Sequence, residues 1–377
     1  MAIKAGVRAI PLLDLTRQYH PLRDAIQAAL TRVIESQRFI LGTQVEHFEQ
    51  RFAAYCGARF GIGCASGTDA LQLALMAADI GPGDQVLTVP FSFFATVGAI
   101  MSVGARPVFV DVEPESFNLD IHQLGQALAT HPSIKAILPV HLYGGCADMG
   151  PIMEQAAAHG IPVIEDAAQA VGAEWRGQRA GSIGTIGCFS FFPTKNLGAF
   201  GDGGMLTTND EDLARKLKAL RVHGSLEKYV HQWAGMNSRL DALQAAVLDV
   251  KLDYLDGWNC ARQRNAALYR ELLSGVVTIP AAQPYQTSHV FNQFVIRCEG
   301  RDELRAFLAE SGVGTEIYYP LPLHLQPALA GYGYKAGDFP VSEQLAQEVL
   351  ALPIFAELSE EEIATVAGLI CEFYGRR

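Results

Sequence analysis

The stretch IKAILPVHLYGGCADMGPIMEQAAAHGIPVIEDAAQA, residues 134–170, contains the unit that determines the fold. Two short runs rich in isoleucine and valine flank a helical pattern that begins near Met149 and ends at Gly160. Short β-branched runs separated by helices are typical of a parallel sheet that helices cover on both faces. The stretch therefore predicts a strand, a helix and a second strand that ends at Asp166.

The same alternation extends over residues 45 to 215, approximately. RFGIGCA is followed by the helical TDALQLALMAADI, and DQVLTVP by FFATVGAIMSVG and then RPVFVDV. This order predicts an α/β protein with a mostly parallel sheet, in which ligands bind at the carboxyl ends of the strands.

The C-terminal third has a different pattern. A long helical stretch, SRLDALQAAVLDVKLDYLDGWNCARQRNAALYRELL, precedes the strand-like HVFNQFVIRC and the helical RDELRAFLAESG and SEEEIATVAGLICEFYG. We expect a large domain over residues 1–250, with an N-terminal helical arm, and a smaller α/β domain over residues 251–377.

Composition excludes several functional classes. Of 377 residues, 49% are hydrophobic and 18% are charged, which is typical of a compact globular protein. The net charge of -11 argues against nucleic acids and anionic membranes as partners. The seven cysteines include no CxxC pair, which favours reduced thiols over disulfides or zinc. Without a recognisable signal peptide or an apolar run of about 20 residues, the expected location is the cytoplasm.

One lysine lies in an unusual place. In FSFFPTKNLGAFGDGGM, residues 189–205, Lys195 is surrounded by proline and glycines and therefore lies in a loop. A loop lysine is commonly a solvated surface charge. Here the preceding apolar FSFF predicts partial desolvation, which lowers the amine pKa and suits a Schiff-base nucleophile.

A Schiff-base lysine suggests pyridoxal phosphate, whose ring nitrogen needs an acidic partner. Asp166 is the candidate, because an acid at the end of a buried strand needs a partner of its own; the alternative is a helix-capping aspartate. A phosphate needs a helix N-terminus and hydroxyls, which Ser66, Gly67 and Thr68 offer, with Ser190 as a further hydroxyl. Phe93 offers a ring to stack on the cofactor, or else belongs to the core.

A dinucleotide site is the competing interpretation of the same region. Gly61, Gly63 and Gly67 follow a predicted strand with nearly the spacing of the dinucleotide fingerprint, but Ser66 stands where that motif has glycine. A dehydrogenase would also leave Lys195 and Asp166 unexplained.

Seven motifs, taken together, carry a resemblance to a known family. They are SGTDAL, PFSFFAT, PVHLYG, IEDAAQA, FSFFPTKNLGAFGDGG, NSRLDALQAAVL and YYPLPLHLQPA. In this order, over essentially the whole chain, the sequence resembles the DegT-type family of nucleotide-sugar aminotransferases. The resemblance implies the aspartate aminotransferase-like fold, called fold type I, and pyridoxal 5'-phosphate as cofactor.

The resemblance also implies a role for each matching residue. Lys195 would carry the cofactor and shuttle the substrate proton, Asp166 would bind the ring nitrogen, and Gln169 the ring hydroxyl. The other cofactor contacts implied are Gly67, Thr68 and Ser190 at the phosphate, Phe93 on the ring, and Asn237 from a second chain. A homodimer with shared active sites would follow from that last contact.

Four further residues are candidates for substrate binding. Arg239 is suited to the carboxylate of the amino donor, or else to an interface salt bridge. Tyr318, Tyr319 and His324 are candidates to line the sugar pocket, although the proline-rich YYPLPLHL run is equally compatible with a structural turn.

The reaction implied is transfer of an amino group from L-glutamate to a keto-sugar of a nucleoside-diphosphate sugar. The motifs favour a 3-keto substrate, either a dTDP-3-keto-6-deoxyhexose or a UDP-2-acetamido-3-keto-uronate, for amino sugars of lipopolysaccharide, other surface glycans or antibiotics. The alternatives are a 4-keto sugar and a non-catalytic regulator that binds pyridoxal phosphate. Family members with histidine in place of the lysine are dehydratases, so Lys195 favours the aminotransferase.

Overall fold

The computed structural model describes residues 9–279 and 281–375. Helices and strands alternate through the first two thirds of the chain, as the sequence predicts. The α-helices are α1 (Leu15–Tyr19), α2 (Arg23–Ser36), α3 (Thr43–Cys56), α4 (Gly67–Ala77), α5 (Ala95–Ser102), α6 (Ile121–Thr130), α7 (Met149–His159), α8 (Glu211–Leu220), α9 (Ala242–Leu252), α10 (Leu255–Leu272), α11 (Arg301–Glu310), α12 (Pro340–Glu348) and α13 (Glu360–Gly375).

The strands are short, which is typical of a large α/β domain. They are β1 (Phe60–Cys64), β2 (Gln85–Thr88), β3 (Arg106–Phe109), β4 (Ile134–Ile137), β5 (Ile164–Asp166), β6 (Glu174–Trp175), β7 (Gln178–Arg179), β8 (Ile186–Ser190), β9 (Gly204–Thr208), β10 (Ser225–Glu227), β11 (Val230–His231), β12 (Gln286–Ser288), β13 (Phe294–Arg297) and β14 (Val349–Leu352).

The central sheet is mostly parallel, as predicted. Strands β3, β2 and β4 pair in parallel, and parallel bridges from Ile137 to Val163 and from Val140 to Asp166 join β4 to β5. The sheet continues as β8, β9 and β1, with β9 antiparallel to both of its neighbours. The strand order is therefore β3-β2-β4-β5-β8-β9-β1, and the ends of β5 and β8 lie side by side at its centre.

The C-terminal part packs on this sheet through a shared core. Val108 of β3, Ile296 of β13 and Leu350 of β14 belong to one cluster of buried side chains. A polar contact adds to the packing, because the Asp111 carboxylate accepts hydrogen bonds from Val341 N (2.9 Å) and Ser342 N (3.0 Å) at the start of α12. The predicted boundary after residue 250 falls within α9, so we propose that the small domain begins after that helix.

Three smaller sheets consist of strands that the sequence did not predict, apart from β13, which lies within the strand-like HVFNQFVIRC. β10 and β11 form a hairpin, β6 pairs with both β12 and β7, and β14 pairs with β13. These strands have two to four residues each, too few to show a period. Among the described residues, every helix is too short or too polar to cross a bilayer.

Candidate active site

The sequence-predicted residues converge where β5, β8 and α4 meet. Asp166 is the last residue of β5, Ser190 is the last residue of β8, and Gly67 is the first residue of α4. Lys195 follows five residues after Ser190, in an irregular loop that leads to β9. The parallel pairing of β5 with β8 places the two strand ends at the same edge of the sheet.

Lys195 lies in the tight turn that its proline predicts. Its N–H donates to the Phe192 carbonyl oxygen (2.9 Å), which closes the turn around Pro193. Burial lowers the pKa of the Lys195 amine to about 8, and the carboxylate of Asp166 opposes this shift. An amine with this pKa is neutral in roughly a tenth of molecules at pH 7, far more than an ordinary lysine, so it can act as a nucleophile and as a base.

Buried polar groups fix the part of the loop that directly follows Lys195. Asn196 Nδ2 donates to Asn259 Oδ1 (2.8 Å) and to the Val290 carbonyl oxygen (2.9 Å). Lys251, on α9, donates from Nζ to the Gly198 carbonyl oxygen (2.7 Å). These bonds tie the loop to α9 and α10, so the position of Lys195 is determined by residues far from it in sequence.

Asp166 is buried and has few hydrogen-bond donors. Its Oδ2 accepts from Thr96 Oγ1 (2.8 Å), and its Oδ1 accepts a longer bond from Ala168 N (3.3 Å). Burial raises the pKa of this carboxyl, while the bonds from Thr96 and Ala168 and the charge of Lys195 oppose the shift. A buried carboxylate with this few donors favours a further hydrogen-bond donor or a cation.

Thr96 is a site residue that sequence reasoning missed. It lies in the first turn of α5, inside the quoted motif PFSFFAT, and its Oγ1 lies 2.9 Å from Ser92 Oγ. The two hydroxyls form a short chain that ends at Asp166. The available signal was a hydroxyl residue in the first turn of the helix that follows β2, since β2 lies two strands from β5 in the sheet.

The N-terminus of α4 forms a cradle with Ser190. A Cβ atom added to Gly67 would lie 2.6 Å from Ser190 Cβ, so only glycine allows this close approach. Ser66 caps the helix by accepting from Asp69 N (3.1 Å). No described residue accepts a hydrogen bond from the N–H of Gly67 or Thr68. Two free N–H groups at a helix N-terminus bind anions, and phosphate in particular.

Gln169 is fixed by aromatic residues on two sides. Its Oε1 accepts from Tyr143 N (2.7 Å), so its Nε2 points the other way and donates to the Tyr319 hydroxyl (3.1 Å). The Tyr319 ring lies 6.2 Å from the ring of Phe93, which is 59% exposed. Phe93 therefore presents an open face, and Tyr143, which the sequence analysis did not single out, determines the orientation of Gln169.

Tyr318 joins the same group through its backbone, because its carbonyl oxygen accepts from the hydroxyl of Tyr143. His324 is placed differently. It is 2% exposed, its Nε2 lies 3.0 Å from Glu343 Oε1, and its ring packs against Phe339. Since these contacts are those of a packing residue, we leave His324 out of the proposed site.

Asn237 and Arg239 lie on the segment between β11 and α9. Asn237 is exposed, and its neighbour Ser238 accepts from Ala65 N (3.1 Å), close to Gly67 in sequence. Arg239 is half-buried and has no ion pair with a described residue. Both side chains are therefore available to a ligand or to a second chain.

The geometry does not support the dinucleotide interpretation. Gly61 and Gly63 lie inside β1, an edge strand whose neighbour β9 is antiparallel, and not in a turn between a strand and a helix. A Cβ at Gly61 would lie 2.5 Å from the Glu49 carbonyl oxygen, and one at Gly63 2.9 Å from Leu240 Cβ. These glycines serve close packing.

The residues fit pyridoxal phosphate in three respects. The amine of Lys195 suits its aldehyde, the under-bonded carboxylate of Asp166 suits its ring nitrogen, and the free N–H groups of α4 suit its phosphate. The three groups meet at one edge of the sheet, although Gly67 and Lys195 are more than 100 residues apart in the sequence.

Comparison with known proteins gives a consistent result. The model of the DegT/DnrJ/EryC1/StrS aminotransferase family matches residues 21–370. A "pleiotropic regulatory protein" of Geobacillus stearothermophilus is 51% identical over 97% of this chain and 98% of its own. A UDP-N-acetyl-3-dehydro-alpha-D-glucosamine 3-aminotransferase of Acidithiobacillus ferrooxidans is 48% identical over 96% of this chain and 97% of its own. The crystal structure of S. venezuelae DesV in complex with ketimine intermediate superposes with a TM-score of 0.95, at 43% identity, over 98% of this chain and 99% of that one.

Proposed function

This chain belongs to the DegT/DnrJ/EryC1/StrS aminotransferase family, and on that premise we propose that it moves the amino group of L-glutamate to the keto carbon of a nucleotide-linked sugar. The observation that carries the proposal is the pairing of Lys195 with Asp166. A buried lysine whose pKa is lowered to about 8 lies within electrostatic reach of a buried carboxylate that has few donors of its own. Such a pair serves proton transfer beside an electron-withdrawing cofactor.

We assign the cofactor contacts to the residues that the structure brings together. Gly67, Thr68 and Ser190 would hold the phosphate, Asp166 the ring nitrogen, Gln169 the ring hydroxyl, and Phe93 the face of the ring. When bound, pyridoxal phosphate supplies an electron sink for the negative charge that develops at the substrate carbon.

The protein's own groups then have separate tasks. Lys195 holds the cofactor and carries the proton that leaves and returns at the substrate carbon, for which an amine with a pKa near neutrality is suited. Asp166 keeps the ring nitrogen protonated, because a buried carboxylate gains more from a cationic partner than an exposed one does. Thr96 holds Asp166 in place through its hydrogen bond to Oδ2.

The proposed acceptor is a 3-keto sugar. The relative from Acidithiobacillus ferrooxidans is named for amination at carbon 3, and its similarity covers nearly the whole chain. We propose a sugar carried on UDP or dTDP that is destined for a surface glycan, lipopolysaccharide or an antibiotic. A 4-keto sugar is the alternative, and the half-reaction below separates the two.

A regulator without catalysis is the second candidate function, favoured by the name of the Geobacillus stearothermophilus relative. Binding the cofactor requires the phosphate cradle. It does not require a lysine with a lowered pKa next to an under-bonded acid, and the presence of both favours an enzyme.

We also propose a cytoplasmic homodimer with shared sites. The hairpin β10–β11 exposes Leu226, Tyr229 and Val230, with Tyr229 83% exposed, and leads directly to the exposed Asn237. A hairpin with three exposed apolar side chains suits burial against a second copy. Mixing Lys195→Ala chains with Asn237→Ala chains tests the shared sites. Partial activity in the mixture is expected, because one site of each mixed dimer is intact, and no recovery in verified mixed dimers would contradict it.

The test of the reaction is a spectroscopic half-reaction. Glutamate should bleach the yellow holoenzyme, and after removal of glutamate a 3-keto nucleotide sugar should restore the colour. Restoration by the matched 4-keto sugar alone would overturn the assignment to carbon 3. Failure of glutamate to bleach the colour would overturn the donor assignment, and turnover that persists in Lys195→Ala would overturn the aminotransferase mechanism.

A further inference from the structure

A cavity of about 80 Å³ lies beside the loop that carries Lys195. The residues that matter in its lining are Thr194, Arg262, Asn292, Tyr318, Leu352 and Ile354. Thr194 directly precedes Lys195, and Tyr318 directly precedes Tyr319, whose hydroxyl contacts Gln169. A water molecule needs roughly 10–15 Å³ by such a measure, so the cavity has room for a small polar group.

Arg262 places a buried positive charge at this cavity. It lies on α10, is 4% exposed, and donates from Nη1 to the carbonyl oxygens of Phe291 (3.0 Å) and Ile354 (2.9 Å). No described residue accepts a hydrogen bond from its Nε or Nη2 or forms an ion pair with it. Burial lowers its pKa to about 10, and the more distant Glu357 opposes this shift. A buried guanidinium without a contacting counter-ion favours an anionic ligand.

Asn292 lines the same cavity and carries a buried polar atom without a partner in the described part of the chain. It is 8% exposed, and its Oδ1 has no hydrogen-bond partner among the described residues. Its Nδ2 donates to Gln293 Oε1 (2.6 Å). The side chains of Asn292 and Gln293 can exchange donor and acceptor roles by rotating their amides, so Asn292 can equally carry an N–H where its Oδ1 lies.

We propose that this cavity binds a carboxylate of the amino donor, with Arg262 as the cationic partner and Asn292 as a hydrogen-bond donor. The planar guanidinium matches a carboxylate in shape, and the cavity admits one small anionic group but not a nucleotide. This inference rests on the proposed function. It assigns donor recognition to α10 of the chain itself, in place of Arg239.

Three variants of the holoenzyme test the inference. Arg262→Lys keeps the charge and removes the planar fork, and Asn292→Asp adds a negative charge with almost no change in size. Arg264→Lys is the matched control, because Arg264 lies on the same helix and is exposed. For each variant, the dissociation constant of glutamate comes from the bleaching titration, that of the unreactive dicarboxylate glutarate from calorimetry, and that of the nucleotide sugar from the second half-reaction.

We expect Arg262→Lys and Asn292→Asp to raise the dissociation constants of glutamate and glutarate at least tenfold. The dissociation constant of the nucleotide sugar should stay within twofold of the wild type. Arg264→Lys should change none of the three constants. Constants for both dicarboxylates within twofold of the wild type in Asn292→Asp would overturn the inference, as would equal losses for donor and nucleotide sugar. If Arg262→Lys does not fold, Asn292→Asp alone decides.

The outcome also separates this inference from the proposed function. Wild-type enzyme that is never bleached by glutamate would contradict the proposed donor, while the glutarate titration would still test the cavity. Wild-type enzyme that is bleached, with variants that bind both dicarboxylates normally, would contradict the cavity assignment alone.

Discussion

The two faces of β5 carry neighbouring carboxylates with opposite surroundings. Glu165 is completely buried and accepts four hydrogen bonds, from His141 Nε2 (2.9 Å) and from the backbone N–H groups of Gly181, Ile183 and Gly184 (2.6–2.9 Å). Asp166, on the other face, accepts one short bond and one long one. Satisfied acids stabilise a fold, and under-bonded acids are available for chemistry.

His141 completes the hydrogen bonding on the Glu165 face of β5. Its Nδ1 accepts from Ala147 N (3.1 Å), so Nε2 carries the proton and donates to Glu165. Each polar group there has its partner within the protein. On the Asp166 face, the amine of Lys195 and the N–H groups of α4 have no such partner among the described residues, which is the difference expected between a structural network and a ligand site.

Replacement of Lys195, on the Asp166 face of β5, should have the largest effect on turnover. Lys195→Ala removes both the cofactor attachment and the proton carrier, and we expect turnover to fall by about 10⁴-fold or more. Donor-dependent product formation in the purified variant is the measurement. Activity within tenfold of the wild type would mean that the chemistry lies elsewhere.

Asp166→Asn should come next in size. The amide cannot hold the ring nitrogen in its protonated form, so we expect kcat to fall by about 10²- to 10³-fold. The free energy of unfolding should stay within about 1 kcal/mol of the wild type, because the substitution removes a buried charge with almost no change in side-chain size. Chemical denaturation measures the second quantity, and a large loss there would make Asp166 a structural residue.

Glu165→Gln should give the reverse pattern. In the wild type, the donor N–H groups meet a carboxylate, whereas in the variant some of them would face the amide N–H₂ group, which cannot accept a hydrogen bond. We therefore expect the free energy of unfolding to fall by about 3 kcal/mol. The kcat of the fraction that remains folded should change by less than about threefold. If kcat falls more than the stability loss accounts for, the assignment of stability to the Glu165 face and of chemistry to the Asp166 face is wrong.

Thr96→Val is the smallest change. It keeps the shape of the side chain and removes the hydroxyl that donates to Asp166, a bond to a charged group worth about 1.5–3 kcal/mol. We expect kcat to fall about tenfold and Thr96→Ser to restore most of it. Equal activity in Thr96→Val and the wild type would show that Asp166 does not depend on this contact.

Much of this arrangement could be predicted from the sequence. The strand ending at Asp166, the helix after Ser66 and the loop around Lys195 are local patterns, since proline, glycine and β-branched runs act over a few residues. The mostly parallel sheet followed from their order, and the structure confirms it.

Long-range contacts were beyond the sequence. Thr96 meets Asp166 across 70 positions, and Lys251 meets Gly198 across 53. His324 is a second example, because its burial against Phe339 and Glu343 is not visible in the proline-rich motif that contains it. Which polar side chain is satisfied, and by what, depends on packing that no local pattern reports.

The pH dependence of cofactor attachment tests the division of the two faces most directly. Only the neutral amine of Lys195 reacts, so the rate of pyridoxal phosphate attachment to the cofactor-free protein should rise with pH, with a midpoint near 8. Because the charge of Asp166 raises the pKa of Lys195, Asp166→Asn should move the midpoint to lower pH, whereas Glu165→Gln should leave it unchanged. A midpoint that stays fixed in Asp166→Asn, or that moves equally in both variants, would contradict the account.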